Sequence, residues 1–138
     1  MRMCLVVANQ TLLGEELLQA LLAKRDREHD CQFHLLVPEN HPRGSWTEGM
    51  VHSVAAEQLE KGRIHFAEHG IEVTGEVGDA NPIQAVGDIL RRDPFDEIIV
   101  STLAPGPSRW LRADVPTRLR RHFSLRVTHV MPAPVSVG

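Results

Sequence analysis

Short apolar runs separated by stretches of helical periodicity constrain this chain more than any other feature. The first run is Met3-Cys4-Leu5-Val6-Val7-Ala8. It has no polar alternation, so it suits a strand covered on both faces, as in a parallel sheet. Gln32 to Val37, closed by Pro38, reads as a second such strand, and Glu97 to Ser101 has the apolar centre of a mid-sheet strand. Leu125 to Val130 supplies a last strand, whereas Ile71 to Val77 alternates apolar with polar residues and reads as less buried.

Helical signals fill the gaps. After the first strand Asn9-Gln10-Thr11 breaks the apolar run, and Thr11 is placed to cap a helix whose stripe is Leu13, Leu17, Leu18, Leu21 and Leu22. Lys24, Arg25 and Arg27 crowd its far end, where cations complement the helix dipole. Ser45-x-x-Glu48 has capping-box spacing ahead of a long helix with Val51, Val54, Ala55, Leu59, Gly62 and Phe66 inward and Gly70 as its stop. Asn81-Pro82 has the cap-then-proline order that opens a helix, followed by the stripe Ile83, Val86, Ile89 and Leu90. Asp114 and Pro116 open a last helix that ends near Phe123. Strand and helix therefore alternate, which predicts a parallel sheet with right-handed crossovers and helices on both faces. Residues 131–138, with two prolines, are expected to be an extended or loose tail.

At 138 residues the chain is a single domain's worth, with 42% hydrophobic and 24% charged residues. A net charge of −3 creates no global field for nucleic acid or an anionic membrane. One local exception is the basic cluster Arg109, Arg112, Arg118, Arg120 and Arg121, opposed by Asp114. Cys4 and Cys31 lack metal-ligand spacing and read as reduced, buried thiols, with a disulfide possible if their strands are neighbours. No signal sequence precedes the first strand and no apolar stretch approaches membrane-spanning length, so the cytoplasm is the expected compartment.

In an open parallel sheet, ligands sit beyond the carboxyl ends of the strands where strand order switches. Those ends are Ala8-Asn9-Gln10-Thr11, Val37-Pro38-Glu39, Val77-Gly78-Asp79 and the stretch from Ser101 to Arg109. Several chemistries are excluded by missing groups: no Gly-x-Gly-x-x-Gly follows the first strand, no P-loop lysine is present, and no Gly-x-Ser-x-Gly elbow occurs. Ala8 and Asn9 stand where a receiver domain needs acids.

The run from Val77 to Val86, then Asp96-Glu97-Ile98-Ile99-Val100-Ser101-Thr102, resembles the second half of universal stress proteins. The Ser-Thr-Leu-x-Pro-Gly-x-Ser-Arg-Trp-Leu stretch from Ser101 to Leu111 is similar to that of small bacterial members of the superfamily. The resemblance implies a doubly wound five-stranded sheet of strand order 3-2-1-4-5, of the adenine nucleotide alpha hydrolase-like type. It also implies a homodimer formed through the last strand, and a possible adenine nucleotide as ligand. Adenine would lie near Ala8, Asn9, Val37 and Val77, with the phosphate side along Ser101, Thr102, Leu103, Gly106, Ser108 and Arg109; Gln10, Thr11, Gly78 and Asp79 complete the rim.

The family's ATP motif is Gly-x2-Gly-x9-Gly followed by Ser or Thr. Here the glycine positions become Ser101, Ala104 and Asp114, and the last becomes Val115; Gly106 alone remains of the glycine-rich stretch. An aspartate capping a helix would occupy its free N–H groups and put negative charge where a phosphate would lie. Triphosphate binding is therefore expected to be weak or lost. The expected role is binding of a small ligand or partner without turnover, with a ligand-free homodimeric interaction module as the alternative and a nucleotide hydrolase as the less favoured one.

Each residue also has a plainer reading. Asp79 and Asn81 suit helix capping, Arg109 a solvated or structurally paired arginine, and Trp110 an aromatic packing its loop onto the sheet. His65 and His69 have metal-compatible spacing but lack a third ligand, so no metal is expected. His34 and His129 fall in strands with no catalytic neighbour in sequence. The arginines from 118 to 121 fit a solvated helix face or a surface for an acidic partner.

Overall fold

The apolar runs become the strands of one all-parallel sheet. The computed structural model describes residues 2–9, 11–39, 47–102 and 114–131. In chain order the elements are β1 (Arg2–Val7), α1 (Glu15–Arg27), β2 (Cys31–Pro38), α2 (Glu48–Glu68), β3 (Val73–Gly78), α3 (Pro82–Arg92), β4 (Glu97–Ser101), α4 (Asp114–His122) and β5 (Arg126–Val130). The five described strands lie in the order β3-β2-β1-β4-β5. β1 is therefore central, parallel to β2 on one side and β4 on the other.

Side chains of a strand alternate between faces, and here both faces are dry. Cys4, Val6 and Ala8 point to the side covered by α1 and α2, where they meet Leu17, Leu21, Leu35 and Phe66. Leu5 and Val7 point to the opposite side and join Leu36, Val86, Ile89, Ile98 and Leu119 beneath α3 and α4. Burial of each valine, leucine, isoleucine or phenylalanine among them contributes about 1.5–3 kcal/mol. Two cores on one central strand are the physical reason that its sequence shows no polar alternation.

Local signals were read correctly at several points. Asn81 caps α3, its Oδ1 accepting from Ile83 N at 3.0 Å and Gln84 N at 3.4 Å, with Pro82 in the first turn. Gly70 ends α2 at φ +79°, a backbone state that side chains disfavour. His34 and His129 lie in β2 and β5.

Other expectations are corrected. Thr11 does not cap α1: the helix begins at Glu15 with Gly14 at its cap and no side-chain cap bond, because Thr11 is engaged elsewhere. α2 starts three residues beyond Ser45, capped by Thr47, whose Oγ1 accepts from Met50 N at 3.1 Å. Leu13 precedes α1 and is 46% exposed, while Leu12 is the leucine that enters the core. Leu12 takes the space beside Gly62, where a Cβ would lie 2.6 Å from its Cδ2. Val54, placed in the inward stripe of α2, is also largely exposed. The tail expectation for residues 132–138 lies outside the described residues.

Candidate functional site

The carboxyl ends of β1 and β4 lie side by side at the middle of the sheet, where the chain continues to β2 on one side and to β5 on the other. This is the switch point at which open parallel sheets take ligands. Ala8 follows β1 directly, and its N–H donates to Leu36 O at 3.2 Å. Asn9 then ties the ends of two strands together, its Nδ2 donating to Pro38 O at 2.7 Å. Glu39 N donates to Gly78 O, which does the same between β2 and β3.

Thr11 and Ser101 meet across this end. Their hydroxyl oxygens are 2.5 Å apart, and both residues are buried. One step along, Thr102 N donates to Val130 O at 3.0 Å, and Thr102 Oγ1 lies 2.7 Å from His129 Nε2. Burial, assisted by the positive charge of Arg120, holds the His129 imidazole below the usual histidine value, so it favours the neutral form at this rim.

The remaining rim residues divide cleanly. Asp79 Oδ1 accepts from Asn81 N at 2.8 Å, so the aspartate organises the turn that starts α3. Gly78 is needed for close approach: a Cβ there would lie 2.6 Å from Leu36 Cδ1 and 3.0 Å from Ala85 Cβ. Ala8 and Val37 are fully buried in the core on the α1 side, with Val77 half-buried beside its register partner Val37. The structure thus brings together Asn9, Thr11, Ser101 and Thr102, with Gly78 and Asp79 two strands away. Gln10, Leu103, Gly106, Ser108, Arg109, Trp110 and Arg112 lie outside the described residues, as does the side chain of Asp114, although α4 begins at that residue.

His129 is the rim residue that sequence reasoning passed over. Its signal is the register: Val100 pairs with His129 and Ser101 with Val130, which puts the imidazole beside the residue following β4. On α4, Arg118, Arg120 and Arg121 are exposed, as a solvated face requires, and Arg120 also donates to Val127 O at 3.1 Å. His65 and His69 stack edge to face, with His69 Nδ1 2.9 Å from His65 O. Among the described residues no group of three or more His, Cys, Asp or Glu side chains could hold a metal ion, and no described helix is long and apolar enough to cross a membrane.

The opposite, amino end of the sheet holds charges the sequence did not lead one to join. Lys24 of α1 and Glu97 of β4 are both buried and form an ion pair; Lys24 Nζ also lies 2.8 Å from Glu28 Oε2. Arg2 Nε donates to Glu28 Oε1 at 2.9 Å. Hydrogen bonds from Lys24 and Arg2 hold the Glu28 carboxyl down at about 2. For Lys24, burial alone would favour the neutral amine, but the bonds to Glu28 and Glu97 outweigh it and raise its value. Cys4 and Cys31 sit in the same cluster, both as free thiols.

No family model matches the chain, and no curated protein matches it. Solved structures do. A protein of the universal stress protein family from Burkholderia pseudomallei superposes with a TM-score of 0.63 at 15% identity, covering 95% of this chain and 96% of that one. A universal stress protein from Archaeoglobus fulgidus gives 0.65 at 12% identity over 94% and 93% of the two chains. A universal stress protein solved in complex with cAMP gives 0.63 at 11% identity over 94% and 96%. The chain has the universal stress protein fold.

Proposed function

We propose that this protein binds a small adenine mononucleotide at the carboxyl end of its sheet, in preference to ATP, and does so without turnover. The observation that carries the reading is a set of neutral polar residues among those described at the switch point, Asn9, Thr11, Ser101 and Thr102, which gather around the ends of β1 and β4. Hydroxyl and amide groups suit a ribose or a single phosphate. A triphosphate needs more: free backbone donors at a helix start, or cations. By sequence α4 begins with an aspartate, whose negative charge opposes phosphate at that end of the helix. The cAMP held by a structure of the same fold supports a mononucleotide as the ligand class.

Thermal-shift scans with cAMP, AMP, ADP and ATP test this. The expected result is a saturable rise in Tm of several degrees with cAMP or AMP, and a smaller rise with ATP at equal concentration. A larger rise with ATP would overturn the preference. No rise with any nucleotide, from a protein that is a stable dimer, would favour the interaction module instead, and steady release of phosphate would make it a hydrolase.

The same proposal includes a cytoplasmic setting and pairing of two copies through β5. Among the described strands β5 lies at the edge of the sheet, and edge strands offer unpaired backbone groups to a partner. Light scattering on the eluting protein measures the dimer directly.

A further inference from the structure

We propose that Cys4 and Cys31 form a reversible intramolecular disulfide, with Cys31 as the thiol that meets a small peroxide first and Cys4 as the one that resolves it. The two residues lie on adjacent strands and on the same face of the sheet, offset by two positions, since Arg2 is the register partner of Cys31 and Phe33 that of Cys4. Their sulfur atoms are in direct contact, either thiol being able to donate to the other, and a sulfur pair in contact is the arrangement a disulfide requires. Cys31 is the first residue of β2, so the remaining movement falls on a strand end instead of the middle of the sheet.

Access separates the roles. Cys4 is fully buried, whereas Cys31 is half-buried and lines an open cleft at the amino end of the sheet, together with Arg25, His29, Phe33 and Arg63. The surroundings separate them further. Burial, the contact with Cys31 and the nearby Glu97 carboxylate all push the Cys4 thiol up. Burial raises the Cys31 thiol as well, and the Glu97 and Glu28 carboxylates add to that rise, but its bond with Cys4 and the positive charge of Lys24 act against it, whereas every influence on Cys4 is upward.

The chemistry balances without any group beyond the peroxide. The Cys31 thiolate attacks one peroxide oxygen, the O–O bond breaks, and Cys31 becomes a sulfenic acid while the departing oxygen leaves as water with the proton that Cys31 released. The Cys4 sulfur then attacks the Cys31 sulfur, forming the S–S bond and expelling hydroxide, which takes the Cys4 proton and leaves as a second water. Two thiols are oxidised and one peroxide is reduced. Any low-molecular-weight dithiol returns the pair to the reduced state.

The test treats the reduced full-length chain with hydrogen peroxide, unfolds it, and adds N-ethylmaleimide before intact-mass and peptide analysis. The expected product has lost two hydrogen atoms, takes up no maleimide, yields a linked Cys4–Cys31 peptide pair, and is restored by dithiothreitol. In Cys4→Ala, Cys31 is expected to accumulate as a sulfenic acid captured by dimedone. In Cys31→Ala, peroxide oxidation of Cys4 is expected to slow at least tenfold. Oxidation of Cys31 to the sulfinic acid with Cys4 still taking maleimide, or a disulfide between two chains in place of the internal one, would overturn the proposal.

Discussion

The two ends of this sheet solve opposite problems with different chemistry. At the amino end Lys24, Glu97, Glu28 and Arg2 bring formal charges into or against the core, and each charge is held by another within the cluster. At the carboxyl end the described contacts around β1 and β4 are between hydroxyls, an amide, an imidazole and backbone groups. A buried charge is tolerable only when fully paired, so the charged side chains of the amino end are committed to structure. Neutral hydroxyls can exchange one hydrogen-bond partner for another at little net change in free energy, so the carboxyl end can open to a ligand.

That contrast can be broken most sharply at the amino end. Replacing Lys24 with Met leaves the buried Glu97 carboxylate without its ion-pair partner and is expected to cost about 3–5 kcal/mol, read as a lower urea midpoint at unchanged slope. Replacing both residues at once, as Lys24→Met with Glu97→Leu, is expected to recover most of that loss. A double variant no better than the single one would show that the pair contributes something beyond mutual neutralisation.

The next effect lies at the edge of the rim. Gly78→Ala puts a methyl 2.6 Å from Leu36 Cδ1, and the shift needed in packed side chains is expected to cost about 1–3 kcal/mol in the same measurement. Smaller again is the hydroxyl pair. Thr11→Val or Ser101→Ala alone strands one buried hydroxyl and is expected to cost about 1–2 kcal/mol, whereas the double variant should come close to wild type. Strong loss in the double variant would mean the hydroxyls are structural, and the carboxyl end no more adaptable than the amino end.

A pH series sharpens the comparison from the other side. The Glu28 carboxyl is held below its ordinary value of 4.5, at about 2, by Lys24 and Arg2. A folded-state value lower than the unfolded one means stability that is complete above pH 4.5 and is lost as pH falls toward 2. Glu28→Gln is expected to flatten that acid limb of the urea midpoint against pH. His129 and His34 are also lowered, chiefly by burial, so their contribution has the same sign and is lost as pH falls below the ordinary histidine value of 6.5.

Most of the fold was legible because it rests on local pattern. The uninterrupted run around Val6, the Asn81-Pro82 opening and the Gly70 stop each act over a few residues, and each appears where expected. What was misread depends on partners far away in sequence. Thr11 looks like a helix cap until Ser101, ninety residues on, takes its hydroxyl. Lys24 looks like a dipole-completing cation at the end of α1, and Glu97 like the polar start of a strand. Only the pairing of β1 with β4 brings that strand beneath α1 and buries both. The candidate site was legible as an address, the strand ends at the switch point, and Asn9, Thr11, Ser101 and Thr102 do converge there. The partnership of Thr102 with His129 was not, since it follows from the register of β5 on β4 and from no motif.

Backbone amide shifts in a titration with AMP compare the two ends in a single experiment. The account predicts that the largest changes fall on Asn9, Thr11, Gly78, Ser101 and Thr102, that the amides of Arg25, Cys31 and Val73 stay still, and that ATP produces the same pattern only at higher concentration. Changes centred on Arg25, Cys31 and Val73, with the amides at the ends of β1 and β4 unmoved, would contradict it.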